Sequence, residues 1–209
     1  GVTTVHVANE DEGHKKMDEM LANHEVDGAV TMHYPFPIGV STVGRVITPA
    51  KGKQMFVANT TGTSSTDRIE GMIKNAVYGI ICAKAAGIAR PTVGILNIDG
   101  ARQTEMALNQ LKEKGYEFDW ATSARSDGGS VLRGNDVLQG TCDVLVCDSL
   151  TGNVLTKLMS AYLQIKVDEK LGGGEGGDVK VEQSDISKMH SLYSGFLGAV
   201  KLAAQAKVE

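Results

Sequence analysis

QMFVANTTGTSSTDRIEGMIKNAVYGIICAKAAG, residues 54–87, contains the unit on which the predicted fold depends. The apolar run at 54–58 predicts a buried strand, and the hydroxyl-rich segment 59–67 predicts a loop. From residue 68 onward apolar side chains recur at helical spacing, so we expect a long helix up to Gly87. Asp67 is a suitable N-cap for that helix, and Gly87 is a suitable C-terminal stop. The stretch therefore predicts a strand, a polar loop and a helix in succession.

The same unit recurs along the chain. Further strands are expected at residues 2–7, 27–32, 92–98, 117–120 and 144–147, further helices at 10–23, 104–114 and 154–171, and the start of another helix within 39–47. Alternating strands and helices imply a mostly parallel sheet with helices on both faces, so the predicted fold class is α/β. Ligands of such sheets bind outside the carboxyl ends of the strands. Functional side chains are therefore expected in the loops that follow the strands.

The domain organisation is predicted from one glycine-rich break. Residues 1–171 are expected to form the α/β domain, 172–180 the break, and 181–209 a helical segment that packs on the same domain. The first residue is Gly1 instead of methionine, and the last stretch has helical spacing. We therefore expect the chain to be a piece of a longer protein.

Composition narrows the classes of function. Aromatic residues make up 5% of the 209 residues and the net charge is -4, which argues against a nucleic-acid-binding surface. No apolar run approaches the roughly 20 residues of a membrane span, and no signal peptide is recognised. The three cysteines are an odd number without metal-type spacing. We expect reduced thiols, a cytoplasmic location and no metal site.

Four strand-to-helix loops are rich in small polar residues and could cradle a phosphate. Helix N-termini offer unpaired N–H groups, glycines allow close approach, and hydroxyl and amide side chains add donors. The candidates for phosphate or acyl-oxygen binding are Ser41, Thr42, Arg45, Asn59, Thr60, Thr61, Gly62, Asn97, Thr151, Gly152 and Asn153. For any single loop, ordinary helix capping is the alternative. Neither the GxxxxGK[ST] nor the GxGxxG phosphate motif occurs.

Three residues are candidates for catalysis, and a fourth is a weak candidate nucleophile. His33 is expected to end a strand and could transfer a proton, although a half-buried structural histidine is the alternative. Asp148 could orient a donor or act as a base, and Lys157 could hold an anion one turn into a helix. Cys147 is a weak candidate nucleophile, because strand alternation favours a core position for it.

Two motifs resemble the phosphate acyltransferases of fatty-acid and phospholipid synthesis. DVLVCDSLTGNVLTK, residues 143–157, resembles that family's DVVV-x-DG-x-x-GNV-x-LK, with Ser149 where glycine is usual. VGILNID, residues 93–99, resembles its VGLLNIG. HYPFPIGVSTVG, residues 33–44, replaces its glycine-rich SAGNTGA loop. This departure indicates a sister branch, and the chain is similar to the alpha subunits of component C in glycine/sarcosine/betaine reductase complexes.

The resemblance implies a fold like that of the phosphate acyltransferases and of isocitrate and isopropylmalate dehydrogenases. It implies release of acetyl phosphate from an enzyme-bound acetyl thioester, with phosphate as co-substrate and no bound cofactor. The implied partner is a beta subunit resembling ketoacyl synthases, the thioester cysteine is expected outside this chain, and a homo-oligomer is expected. The alternatives are an acyl-carrier-protein:phosphate acyltransferase, a non-catalytic partner-binding subunit, and an oxidoreductase without a dinucleotide motif.

Overall fold

A computed structural model describes residues 3–126 and 129–170 of the chain. The helices are α1 (Glu10–Ala22), α2 (Arg68–Ala85), α3 (Ala101–Glu113), α4 (Gly134–Gln139) and α5 (Ser149–Lys170). The strands are β1 (Ser41–Ile47), β2 (Gln54–Gly62), β3 (Thr92–Leu96), β4 (Asp119–Trp120), β5 (Val131–Leu132) and β6 (Val144–Val146). The predicted break at 172–180 and the segment 181–209 lie outside the described residues.

The strands form one mixed sheet in the order β1-β2-β6-β3-β4. β2, β6, β3 and β4 are parallel, and β1 is antiparallel to β2. β5 pairs in parallel with the last two residues of β3, while β4 pairs with the first two. The prediction of a mostly parallel α/β sheet is confirmed.

Two apolar clusters lie on opposite faces of the sheet, because successive side chains of a strand point to opposite sides. Val144 and Val146 belong to a cluster with α2 and α3. Leu145 belongs to the other cluster, to which Val137 of α4 and Met159 of α5 contribute. The predicted placement of helices on both faces is confirmed.

The helix predicted after the polar loop, α2, forms as expected. The Asp67 side chain caps it by accepting from the Glu70 N–H at 2.7 Å. Gly87, two residues past its end, adopts a φ of 93° that suits glycine. Gly79 lets α2 lie close to the sheet, since a Cβ there would be 2.9 Å from the Ala58 Cβ. Local sequence signals are thus sufficient for this element.

The amino-terminal expectations are partly wrong. Helix α1 is present, but within 39–47, where a helix start was expected, residues 41–47 form strand β1. Residues 41–47 are rich in β-branched side chains, and they form an antiparallel ladder with β2 whose register shifts between Thr42 and Val43. Residues 3–7 and 27–32 are not strands, because within the described part of the chain neither pairs with a neighbouring strand. Val30 is accordingly 90% exposed.

The segment 123–134, which is polar and rich in glycine, contains β5 and leads into α4. Asp136 organises it, since its carboxylate accepts from the Ser123 hydroxyl at 2.7 Å and from the N–H groups of Ala124 and Arg133 at 2.8 and 3.0 Å. Burial alone would raise the pKa of Asp136, but these three hydrogen bonds outweigh burial and lower it. None of the described helices is long and apolar enough to cross a bilayer.

Candidate functional site

The carboxyl ends of β2, β3 and β6 meet at one edge of the sheet, where α2, α3 and α5 begin. Arg68, the first residue of α2, connects this edge. Its Nη2 lies 3.3 Å from the Asp148 carboxylate, and its Nε donates to the Asp99 carbonyl at 2.9 Å. The Arg68 side chain is 46% exposed, so solvent and ligands can reach the guanidinium. The Arg68 guanidinium therefore lies close to the N-termini of α2, α3 and α5.

Asp148 fixes the start of α5. Its carboxylate accepts from the Thr151 N–H at 2.8 Å and from the Thr151 hydroxyl at 3.0 Å. Together with the Arg68 contact, these bonds engage both carboxylate oxygens. Asp148 thus caps the helix and holds Arg68, which is the capping alternative raised by its position after a strand.

Asn153 joins α5 to the polar end of β2. Its Nδ2 lies 3.0 Å from the Thr60 carbonyl and 3.3 Å from the Thr61 hydroxyl. Asn59 folds over the same end, because its Nδ2 donates to the Gly62 carbonyl at 2.9 Å and its Oδ1 accepts from the Thr61 N–H at 2.8 Å. The Ala58–Asn59 peptide bond is cis. Amide and hydroxyl groups predicted to bind phosphate are thus brought together, largely bonded to one another.

Gly152 allows the close approach of α5 to β2. A Cβ at this position would overlap the Asn59 carbonyl oxygen and lie 2.9 Å from the Asn59 carbonyl carbon. Gly62 is similarly constrained, with a φ of 87° and a hypothetical Cβ that would overlap the Val40 carbonyl oxygen. Glycine at 152 and 62 is therefore required by backbone approach at the site.

Ser41 and Thr42 lie on β1 beside the same edge, since Ser41 pairs with Gly62 and Thr42 with Thr61. Ser41 is 2% exposed, and its hydroxyl is 2.8 Å from that of Ser64. The Thr42 and Thr60 hydroxyls are 2.7 Å apart. Both residues lie near the site on a strand, and the predicted helix N-terminus at this position is wrong.

Cys147 lies in the core. It is 0% exposed, and its thiol is 3.7 Å from the Asn59 carbonyl. Burial, with a smaller effect from Asp148, raises the pKa of the Cys147 thiol to about 12. A thiol in this environment is a poor nucleophile at neutral pH. The preferred interpretation of Cys147 as a core residue is confirmed.

Of the four other predicted site residues, His33 and Arg45 lie away from this edge, whereas Asn97 and Lys157 lie on segments that begin there. His33 is exposed in an irregular segment, where it lies 3.8 Å from Glu10 of α1, so its expected place at a strand end is wrong. Arg45 sits within β1, and its guanidinium contacts Gln54 at the opposite end of β2. Asn97 follows β3 and is exposed, as is Lys157 one turn beyond Asn153 on α5.

Asn75 and Ser64 support the site and were not foreseen. Asn75 lies in α2 and is 4% exposed, with its Nδ2 donating to the Cys147 carbonyl at 3.0 Å and its Oδ1 accepting from the Ser64 hydroxyl. The available signal was a polar residue on the apolar stripe of α2, between Met72 and Gly79. Across residues 3–126 and 129–170, no group of three or more His, Cys, Asp or Glu side chains could hold a metal ion.

A mostly parallel sheet with polar loops and helix N-termini at its carboxyl edge defines an α/β protein, and in such sheets ligands generally bind outside the carboxyl ends of the strands. Within this class, the model of the fatty acid synthesis protein family matches residues 2–135. The chain belongs to this family.

Named relatives agree with the family assignment. The alpha subunit of component C of the glycine/sarcosine/betaine reductase complex from Peptoclostridium acidaminophilum is 58% identical over 172 residues, which cover 82% of this chain and 45% of that protein. A phosphate acyltransferase from Brevibacillus brevis is 30% identical over 167 residues, which cover 75% of this chain and 45% of that protein. The chain thus spans less than half the length of these relatives.

Proposed function

We propose that this chain contributes the phosphate-binding part of an enzyme that transfers an acyl group to phosphate within a glycine/sarcosine/betaine reductase complex. The observation that carries the proposal is the 58% identity to a component C alpha subunit, together with homology to phosphate acyltransferases. In the proposed reaction a phosphate oxygen attacks the carbonyl carbon of an acetyl thioester. A C–O bond forms, the C–S bond breaks, the thiolate takes up a proton, and acetyl phosphate is released. No electrons are exchanged.

Arg68 and Lys157 are the cations proposed to face the phosphate. Arginine carries five N–H donors, and the contacts described above engage Nε and Nη2 of Arg68. Its remaining N–H groups therefore have capacity for an anion. Lys157 lies four residues after Asn153 on α5, which places the two side chains on one helix face. Asn153 and Thr61 are proposed to orient the phosphate or the acyl oxygen.

The thioester sulfur is proposed to come from outside this chain. Cys82, Cys142 and Cys147 are all buried free thiols, and burial raises the pKa of each to about 12. The proposed donor is an acetyl thioester presented with a beta subunit resembling ketoacyl synthases. Phosphate is the proposed co-substrate and no bound cofactor is proposed, while a cytoplasmic location and a homo-oligomer remain predictions.

Thermal unfolding with millimolar phosphate or acetyl phosphate tests the proposal, with sulfate and chloride at matched ionic strength. A ligand at a hundred times its Kd stabilises by about 2.7 kcal/mol, which raises Tm by about 5 °C or more. Asn153→Ala, Thr61→Ala and Arg68→Gln should reduce the shift. Arg90→Gln is the matched control, because Arg90 also pairs with an aspartate, Asp119, but at the amino ends of β3 and β4.

A non-catalytic partner-binding subunit is the second candidate. It is favoured by a row of exposed apolar side chains at four-residue spacing on α5, beside the site: Leu150, Val154, Leu158 and Tyr162. This function predicts no Tm shift with phosphate at any concentration, together with tight binding to a partner protein. A phosphate-specific shift that Arg68→Gln abolishes and Arg90→Gln retains supports acyl transfer instead.

A further inference from the structure

We propose that Asn75 is a positioning residue for the acyl-phosphate site, acting through the Cys147 carbonyl and Ser64 to fix the start of α5; this inference rests on the proposed function. Asn75 is remote from solvent, at 4% exposure, and Ser64 and Ser41 are 3% and 2% exposed. A buried carboxamide is tolerated only when its polar atoms are bonded. Asn75 meets this requirement with partners from two different parts of the fold.

The direction of the hydrogen bonds follows from chemistry. The Cys147 carbonyl can only accept, so it must face Nδ2 of Asn75, at 3.0 Å. Oδ1 of Asn75 can only accept, so the single Ser64 hydroxyl proton points to it. Ser64 must then accept from Ser41, 2.8 Å away. A directed chain therefore runs from β1 through Ser64 and Asn75 to the end of β6.

This series of hydrogen bonds ends at Cys147, where β6 leads into the site. The paired register of β2 and β6 ends at Ala58 and Val146. Beyond it, the Cys147 carbonyl accepts from the Asn59 N–H at 3.3 Å and from Asn75. The next residue is Asp148, which caps α5 and contacts Arg68. Asn75 thus fixes the backbone one residue beyond the paired strands, at Cys147, immediately before the capping Asp148.

The series of hydrogen bonds also gives Ser41 a role that differs from the predicted phosphate contact. Its hydroxyl is buried and donates to Ser64, so Ser41 supports the site through Ser64 and Asn75 without facing solvent. Loss of Asn75 leaves the Cys147 carbonyl with the longer Asn59 bond and releases the junction of β6 and α5. A displacement of about 1 Å at a reacting group can cost on the order of a hundredfold in rate. The effect is therefore expected at Asp148 and α5, away from Asn75 itself.

Hydrogen–deuterium exchange separates positioning from phosphate binding. The Thr151 and Gly152 N–H groups donate to the Asp148 side chain and carbonyl, so their exchange reports the start of α5. In Asn75→Ala their exchange should accelerate about fivefold or more, the factor that one net hydrogen bond supplies. Ile80→Val, a buried change elsewhere on α2, is the control for general loss of stability. Exchange of the Ile95 N–H in β3 provides the internal reference.

A second variant keeps the proposal testable when Asn75→Ala does not fold. Asn75→Asp preserves shape and the bond from Ser64, but an ionised carboxylate cannot donate to the Cys147 carbonyl. Once protonated, it can donate. The ratio of the Thr151 exchange rate to the wild-type rate at the same pH should therefore fall toward one as the pH is lowered. Ile80→Val should show no such recovery.

The phosphate affinity of the folded variants completes the experiment, measured by titration below Tm. Faster local exchange with phosphate affinity lowered about tenfold or more supports the proposal. Unchanged exchange at Thr151 and Gly152 overturns it, whether or not phosphate binds. Faster exchange with wild-type affinity also overturns the role at the site. When the wild-type protein binds no phosphate but exchange still accelerates, the proposed function fails and the hold of Asn75 on α5 stands.

Discussion

Gly152 is the residue whose replacement tests the geometry of the site most directly. It is the fourth residue of α5, and a Cβ there would overlap the Asn59 carbonyl oxygen and lie 3.1 Å from the Cys147 sulfur. The Asn59 atoms belong to the backbone at the end of β2, so no side-chain rotation relieves the overlap. Gly152→Ala must therefore displace the start of α5 from the sheet.

The expected magnitude combines two opposing effects. In a helix, alanine is more favourable than glycine by about 0.5–1 kcal/mol. Overpacking costs about 1–3 kcal/mol, and a clash with backbone belongs at the upper end of that range. The net loss in the free energy of unfolding is about 2 kcal/mol. For a domain of this size, such a loss lowers Tm by about 4–8 °C.

Gly71→Ala is the matched control for this experiment. Gly71 is also the fourth residue of a helix, and its N–H donates to Asp67 as that of Gly152 donates to Asp148. A Cβ at Gly71 meets its nearest atom, the Ser65 carbonyl oxygen, at 3.6 Å, which is an ordinary contact. Gly71→Ala should therefore leave Tm unchanged or raise it by a few degrees.

Thermal and urea unfolding of both variants, followed by circular dichroism, measure the difference. The reasoning is refuted when Gly152→Ala is as stable as Gly71→Ala, because α5 would then not be held against the Asn59 carbonyl. A lower Tm with an unchanged urea m-value identifies a loss of stability in a protein that still folds to the same compact state.

Three further predictions concern Asp136, the three cysteines and Gly62. Because its pKa is lowered in the folded state, Asp136 stabilises the fold above about pH 3.9, the usual pKa of aspartate, and this contribution is lost as pH falls through the folded pKa. In urea titrations the free energy of unfolding of Asp136→Asn should therefore fall less at acid pH than that of the wild type. Parallel plots of this free energy against pH would contradict the prediction. Native protein should react slowly with a thiol reagent at pH 8 at all three cysteines, and fast labelling of Cys147 before unfolding would disprove its burial. Gly62→Ala should lower Tm by several degrees, because its φ of 87° and the Val40 carbonyl oppose a side chain; Gly39→Ala, with a φ of 96° and open space, should lower it less, and equal losses would exclude a steric contribution.

The parts of the fold predicted from the sequence are those encoded locally. Helix α2 carries its own cap, apolar stripe and stop signal, so its bounds differ from the prediction by two residues. β1 depends on a partner strand, and its ladder with β2 outweighs the helix start expected at 39–47. β5 and α4 are short and depend on Asp136, whose three bonds to separate segments leave no periodic signal.

The candidate site also has a part that the sequence predicts and a part that depends on tertiary contacts. Asp148, Asn153 and residues 59–62 were expected together, because the carboxyl ends of parallel strands meet at one edge. Residues 59–62 were expected to be a loop, but they form the end of β2. His33 was assigned to that edge on the assumption that 27–32 is a strand, and without the strand the assignment has no basis. Asn75 was missed because the burial of a polar helix residue depends on which face meets the sheet.

The charges at the sheet edge set an expectation for the strength of phosphate binding. Arg68 is paired with the Asp148 carboxylate at 3.3 Å, so the formal charge of this pair is zero. The Thr42 and Thr60 hydroxyls contact each other, and the Asn59 and Asn153 amides donate to the Gly62 and Thr60 carbonyls. Phosphate must therefore share Arg68 with Asp148, which Thr151 holds in place. This arrangement favours weak binding that is strongly reduced by salt. Asp148→Asn should tighten phosphate binding, because asparagine still caps the helix but no longer competes as an anion for Arg68. Measuring phosphate affinity of Asp148→Asn at two salt concentrations checks both effects, and an affinity that is insensitive to salt in both proteins contradicts an anion site at Arg68.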